Sequence, residues 1–181
     1  VEDINELSII INRVISSMES FLLGFDKDGV ITEGLGYWNY GFSFFVYFSE
    51  LLRERTCGKI DLLRNDEKIK KVAELPLYLQ FPDGAVVTFS DASDSRWEGS
   101  YGFLCRLSSI FDIKDYRFPE KTNIFSDHTS KWAVTSRSIF WADLNMELKN
   151  QTTRTGMFYF SECQWLVDRR LKKNGLFYAF A

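Results

Sequence analysis

Asp28-Gly29-Val30-Ile31-Thr32-Glu33-Gly34-Leu35-Gly36-Tyr37-Trp38-Asn39-Tyr40-Gly41 runs directly into Phe42-Ser43-Phe44-Phe45-Val46-Tyr47-Phe48, and this join decides how the chain is read. Four glycines among residues 29–41 allow positive φ and close backbone approach, so the first part reads as a tight loop. From about Tyr37 to Arg55, apolar side chains fall nearly all round a helix. That pattern predicts burial on several sides.

Working outward, residues 3–23 place Ile4, Leu7, Ile10, Ile11, Val14, Ile15, Met18, Phe21 and Leu22 on one stripe of helical period. Asp3 is a candidate cap there and Gly24 a candidate C′ residue. Downstream, Asn65 can cap a helix over residues 66–79 that Pro76 interrupts. Phe81-Pro82-Asp83-Gly84 reads as a turn, and Ala85-Val86-Val87-Thr88-Phe89 as a short strand. Further helices are expected over 98–112 and, capped by Ser130, over 131–142, with a polar irregular stretch over 113–128 between them. From Gly156 the apolar runs become short, aromatic and β-branched, which predicts strands. Lys172-Lys173-Asn174-Gly175 carries the Asn-Gly hairpin signal. The expected class is mainly α with strands at the C-terminal end, divided into a helical region 1–150 and a strand region 151–181.

Composition narrows the function. A chain of 181 residues with 45% hydrophobic content can bury a core, so disorder is not expected. Its net charge of −3 lacks the basic footprint of a nucleic-acid binder. Arg53, Arg55, Lys59, Arg64, Lys68, Lys70 and Lys71 form the densest cationic run, read first as a solvated helix face and second as a patch for an acidic partner. Cys57, Cys105 and Cys163 are too scattered, beside a single histidine, His128, for a closed metal site, so no metal and no cofactor is expected. Each cysteine reads as a small buried hydrophobe, and His128 as a surface residue. No apolar run is long enough for a membrane span, and the first residues do not read as a signal peptide.

The chemistry concentrates in residues 28–41. Glu33, Tyr37, Trp38, Asn39 and Tyr40 set a carboxylate, two phenols, an indole and an amide side by side. Indole and phenol rings offer apolar faces to a sugar ring, while carboxylate and amide groups bind hydroxyls, so the loop reads as a sugar site. The bland alternative is that Tyr37 and Trp38 merely begin a buried helix. Asp28 and Glu33 could also be a hydrolytic carboxylate pair, on weaker grounds.

The loop, with Glu33-Gly34-x-x-Tyr37-Trp38-x-Tyr40 after Asp28-Gly29 and a long apolar helix behind it, resembles the signature loop of heparinase II/III-like polysaccharide lyases. Phe81-Pro82-Asp83-Gly84, Phe89-Ser90-Asp91 and Val167-Asp168-Arg169 extend the resemblance loosely over most of the chain. It implies a partial α/α toroid of antiparallel helix pairs joined to the start of a β-sandwich, about a third of a periplasmic or secreted enzyme, with open helix faces that favour self-association. It further implies cleavage of an acidic, uronate-containing polysaccharide by β-elimination, with Tyr37 as the catalytic residue and Tyr40 as its fallback. Glu33, Trp38, Asn39, Tyr40, Asp91 and Arg96 would bind substrate. Gly41 departs from the bulky or basic residue of some family members. The competing reading is a non-catalytic glycan-binding or interaction protein with a lyase-like cleft.

Overall fold

A computed structural model describes residues 3–92, 97, 99–118, 132–143, 154–175 and 177–181. The architecture is mainly helical and ends in a small antiparallel sheet. Helix α1 spans Ile4–Leu22, and the Asp3 side chain accepts the Asn5 N–H at 2.7 Å as its cap. Its far end departs from expectation. Gly24 does not take the left-handed C′ conformation; the chain tightens into i→i−3 bonds, with Leu23 N–H on Ser20 O and Gly24 N–H on Phe21 O.

Helix α2, Leu35–Arg55, supplies the centre of the core through Trp38, Phe42, Phe45, Val46 and Leu52. Helices α3 (Glu67–Glu74) and α4 (Pro76–Leu79) are the expected single helix broken at Leu75, because Pro76 has no N–H for the ladder and starts a new turn instead. The cap is one residue later than expected: Asp66 accepts the N–H groups of Lys68 (2.8 Å) and Ile69 (3.2 Å), while Asn65 sits at φ 69°. The strand expected over 85–89 reduces to an isolated bridge between Gln80 and Val86, since among the described residues no further strand lies alongside to extend the ladder. Helices α5 (Tyr101–Phe111) and α6 (Trp132–Trp141) follow and pack on each other. Ser130 and His128 lie outside the described residues.

The C-terminal strands are β1 (Gly156–Phe160), β2 (Trp165–Leu171) and β3 (Phe177–Phe180), a meander with β2 in the middle. Phe158 pairs with Val167 and Arg169 with Ala179. The β2–β3 connection turns at Gly175, φ 78°, whose N–H reaches Lys172 O at 2.9 Å.

Sheet and helices meet in one hydrophobic cluster that includes Phe160 and Val167 beside Leu77 and Leu79. A buried cation fastens the joint. The Arg169 guanidinium donates to Leu77 O (2.7 Å), Gln80 O (2.8 Å) and Tyr78 O, satisfying carbonyls left open at the end of α4. Burial, and then the nearby Arg154, lower its pKa to about 10. Arg154 in turn donates to the Tyr78 hydroxyl at 2.6 Å, and Tyr78 packs edge-on against Phe158.

Candidate functional site

Three connections contact one another pairwise. The first is the glycine-rich loop before α2, and its shape begins with Asp26, whose Oδ1 accepts the N–H groups of Asp28 (2.8 Å) and Val30 (2.9 Å). Gly29 closes the turn at φ 80°, with the backbone of Lys71 and Val72 standing 2.5 Å from where a Cβ would be. Only glycine fits there.

The second connection, residues 89–92, touches the first at Gly34, where an added Cβ would meet Ala92 Cβ at 2.8 Å. The third is the β1–β2 turn. Its Ser161 gives both its backbone N–H and its hydroxyl to Asp28 Oδ2, each at 3.3 Å. Phe89 and Trp165 complete the contact by stacking, with centroids 4.3 Å apart and planes at 26°. The turn therefore joins two loops that are far apart in sequence.

Onto this frame the expected site residues fall unevenly. Glu33 is exposed, just before Gly34 at the start of α2. Tyr37 and Tyr40 are about half exposed, at 51% and 54%, on the same side of the helix. Asp91 is exposed on the second loop, so the Gly34–Ala92 contact brings the Glu33 and Asp91 segments together. Asn39 is half buried, and its Oδ1 is enclosed without a hydrogen-bond partner. Arg96 lies outside the described residues.

Trp38 is the correction. Expected to line a subsite, it is 0% exposed, and its indole N–H donates to Val72 O at 2.7 Å. Phe42, Phe103 and Trp97 surround it at 5.5, 5.9 and 5.8 Å. The reason is helical geometry. Each residue turns about 100° from the last, so a helix that buries 38, 42 and 45 must turn 37, 40 and 44 outward.

Asp28 Oδ2 is tied to the β1–β2 turn through Ser161. Four members of the cationic run are engaged in the fold. Arg64 binds Glu50 (2.8 Å) and Asp61 (3.1 Å), Arg53 binds Asp61 (3.1 Å), Lys68 donates to Leu22 O and Lys71 to Lys27 O. Arg106 also pairs with Glu50, which is 1% exposed. Burial opposes the charged form of Asp61, but N–H groups of Leu63 and Arg64 and the Arg64 guanidinium outweigh it and hold its pKa below the usual carboxylate value.

All three cysteines are free thiols; Cys105 is buried as expected, whereas Cys57 is exposed in the turn after α2. Among the described residues no group of three His, Cys, Asp or Glu is placed to hold a metal ion, and no helix is long and apolar enough to cross a membrane.

Sequence reasoning missed Phe89 and Trp165 as members of this region. Both read as strand residues by type, and nothing local says that residues 76 apart in numbering stack. The signal that was present is indirect: each adjoins a turn, and a non-glycine residue beside each, Ser90 (φ 52°) and Gln164 (φ 57°), takes a left-handed conformation. The chain matches no protein-family model and no curated protein.

Proposed function

We propose that the protein is a polysaccharide lyase that cleaves a uronate-containing polysaccharide by β-elimination, its helices part of an α/α toroid and its sheet the start of a β-sandwich, acting in the periplasm or outside the cell. The observation that carries this reading is the exposed Tyr37 in the first turn of α2, with Glu33 and the Asp91 loop gathered at the same helix start. In the reaction a base removes the C5 proton, the C4–oxygen bond breaks, a C4–C5 double bond forms, and Tyr37 returns a proton to the departing oxygen. Glu33 and Asp91 bind sugar hydroxyls; Asn39, Tyr40 and Arg96 complete the substrate-binding set.

The engaged cations favour a second reading. With Arg53, Arg64, Lys68 and Lys71 tied into the fold, neutralising a uronate carboxylate falls to few groups, which suits a protein that binds glycans without cleaving them.

The test is ultraviolet absorbance of the unsaturated uronate produced from alginate, hyaluronan, chondroitin sulfate and heparan sulfate by the full-length protein. Tyr37→Phe removes one hydroxyl from an exposed ring and should cut turnover about 10²-fold or more, the scale of a lost positioned proton transfer. Full turnover in Tyr37→Phe with none in Tyr40→Phe would move the role by one helical turn. If both variants retain it, the loop is not the reaction centre. Self-association belongs to the same proposal, and sedimentation velocity over a concentration series measures it.

A further inference from the structure

The buried Trp38 leaves a glycan site without its expected indole. We propose that Trp165, backed by Phe89, is the platform on which a sugar ring of the polysaccharide stacks. The inference rests on the glycan reading above and adds to it the residue that would carry apolar recognition.

The argument begins with what a platform needs. A sugar ring stacks on an aromatic face that is partly open, held rigidly, and flanked by groups that bind hydroxyls. Trp165 is half buried, so it offers ring surface while being held. Phe89 lies nearly parallel on one of its faces at 4.3 Å and the ring also packs against the hydrophobic cluster, so a sugar would meet the part of the half-buried indole that these contacts leave exposed. Rigidity comes from both sides. Trp165 pairs with Phe160 in the β1–β2 ladder, and the Phe89 segment is seated on Gly34.

The flanking groups are also in place. Asp91 is exposed two residues beyond Phe89, and the Phe89 carbonyl lies 3.5 Å from the Cβ position of Gly34, next to Glu33. The segments that carry two carboxylates and the braced indole thus meet where the three connections join. The backbone is costly there: Ser90 follows Phe89 and Gln164 precedes Trp165, both left-handed without being glycine. Each such residue costs on the order of 1 kcal/mol, and such outliers gather where a ligand contact requires them.

The experiment uses the same four polysaccharides as probes, with binding followed by isothermal titration. Trp165→Ala should weaken the affinity of the glycan that binds best about tenfold, and Trp165→Phe, which keeps a ring, much less. A second measurement needs no variant. Oxidation of indoles by N-bromosuccinimide, read by peptide mass, should be slowed at Trp165 by saturating glycan, with the buried Trp38 unreacted throughout as the internal reference. Wild-type affinity in Trp165→Ala, or equal oxidation of Trp165 with and without a bound glycan, overturns the platform while leaving the glycan reading intact. Failure of the wild-type protein to bind any of the four overturns both.

Discussion

Helices α1 and α2 are of similar length and lie next to each other in the chain, yet they use their apolar residues in opposite ways. Helix α1 has a clean stripe from Ile4 to Leu22, and none of its residues is fully buried; Ile4 is 81% exposed and Leu7 41%. Helix α2 has a blurred pattern and buries Trp38, Phe42, Phe45 and Val46 almost completely. A stripe states which face of a helix gains by burial; it does not supply a surface to cover that face. Helix α2 has such surfaces because α3, α5 and the loop carrying Trp97 close around it. Helix α1 touches the core mainly through its last turns, where Phe21 meets Phe25 at 5.3 Å and Phe45 at 6.1 Å. Gly41 makes that possible: an added Cβ would stand 2.9 Å from the Phe21 ring. The glycine that departs from some lyases of the resembled family has, in this chain, a packing reason.

The sharpest way to break this contrast is Trp38→Ala. It empties a fully enclosed space and leaves Val72 O without its donor, so a loss of about 3–5 kcal/mol is expected in urea unfolding. A loss below 1 kcal/mol would mean that α2 is not the centre of the core. Phe21→Ala should cost less, about 1–2 kcal/mol, because the ring is only half buried. Its more telling effect is local: hydrogen exchange over residues 4–22 should speed up while α2 keeps its protection, and Ile4→Ser should change neither. Equal loss of protection in both helices would show that they open as one unit.

Tyr116→Phe sharpens the buried side of the comparison at the smallest scale. The Tyr116 hydroxyl donates to Ala73 O at 2.7 Å, beside the Val72 carbonyl that receives Trp38, and its removal should cost about 1 kcal/mol at neutral pH. Burial raises the Tyr116 pKa well above the usual value near 10. The folded state therefore keeps a proton that the unfolded chain releases above about pH 10, so the stabilisation is complete below that pH and declines as pH rises. Arg169 works in the opposite sense, since its folded pKa is depressed and the unfolded chain holds the proton longer. Because Arg169 is common to wild type and variant, their stability difference should shrink steadily above pH 10. A difference constant with pH would remove the buried phenol from the account.

Much of the fold was legible because it depends on local chemistry. The stripe of α1, the Pro76 break, the Asn-Gly turn and the switch from helical to strand patterning at Gly156 each follow from the residues within one or two turns. The candidate site was legible only where exposure is set by helix rotation: Tyr37 and Tyr40 stand outward, and Trp38, between them, does not. Its burial could have been read from the spacing with Phe42 and Phe45 once those were assigned to the core. The density of aromatic residues in the loop hid that spacing.

The amino-acid sequence by itself determined the helices, the C-terminal strands and their order, because proline breaks, turn residues and hydrophobic period act over a few residues. Only the tertiary structure decided which apolar faces are covered, that Arg169 finds three carbonyls some 90 residues away in the chain, that Arg53, Arg64, Lys68 and Lys71 are engaged by ion pairs and backbone carbonyls, and that Phe89 meets Trp165. Those outcomes depend on long-range closure, and a long-range contact leaves no periodic trace in the segments that make it.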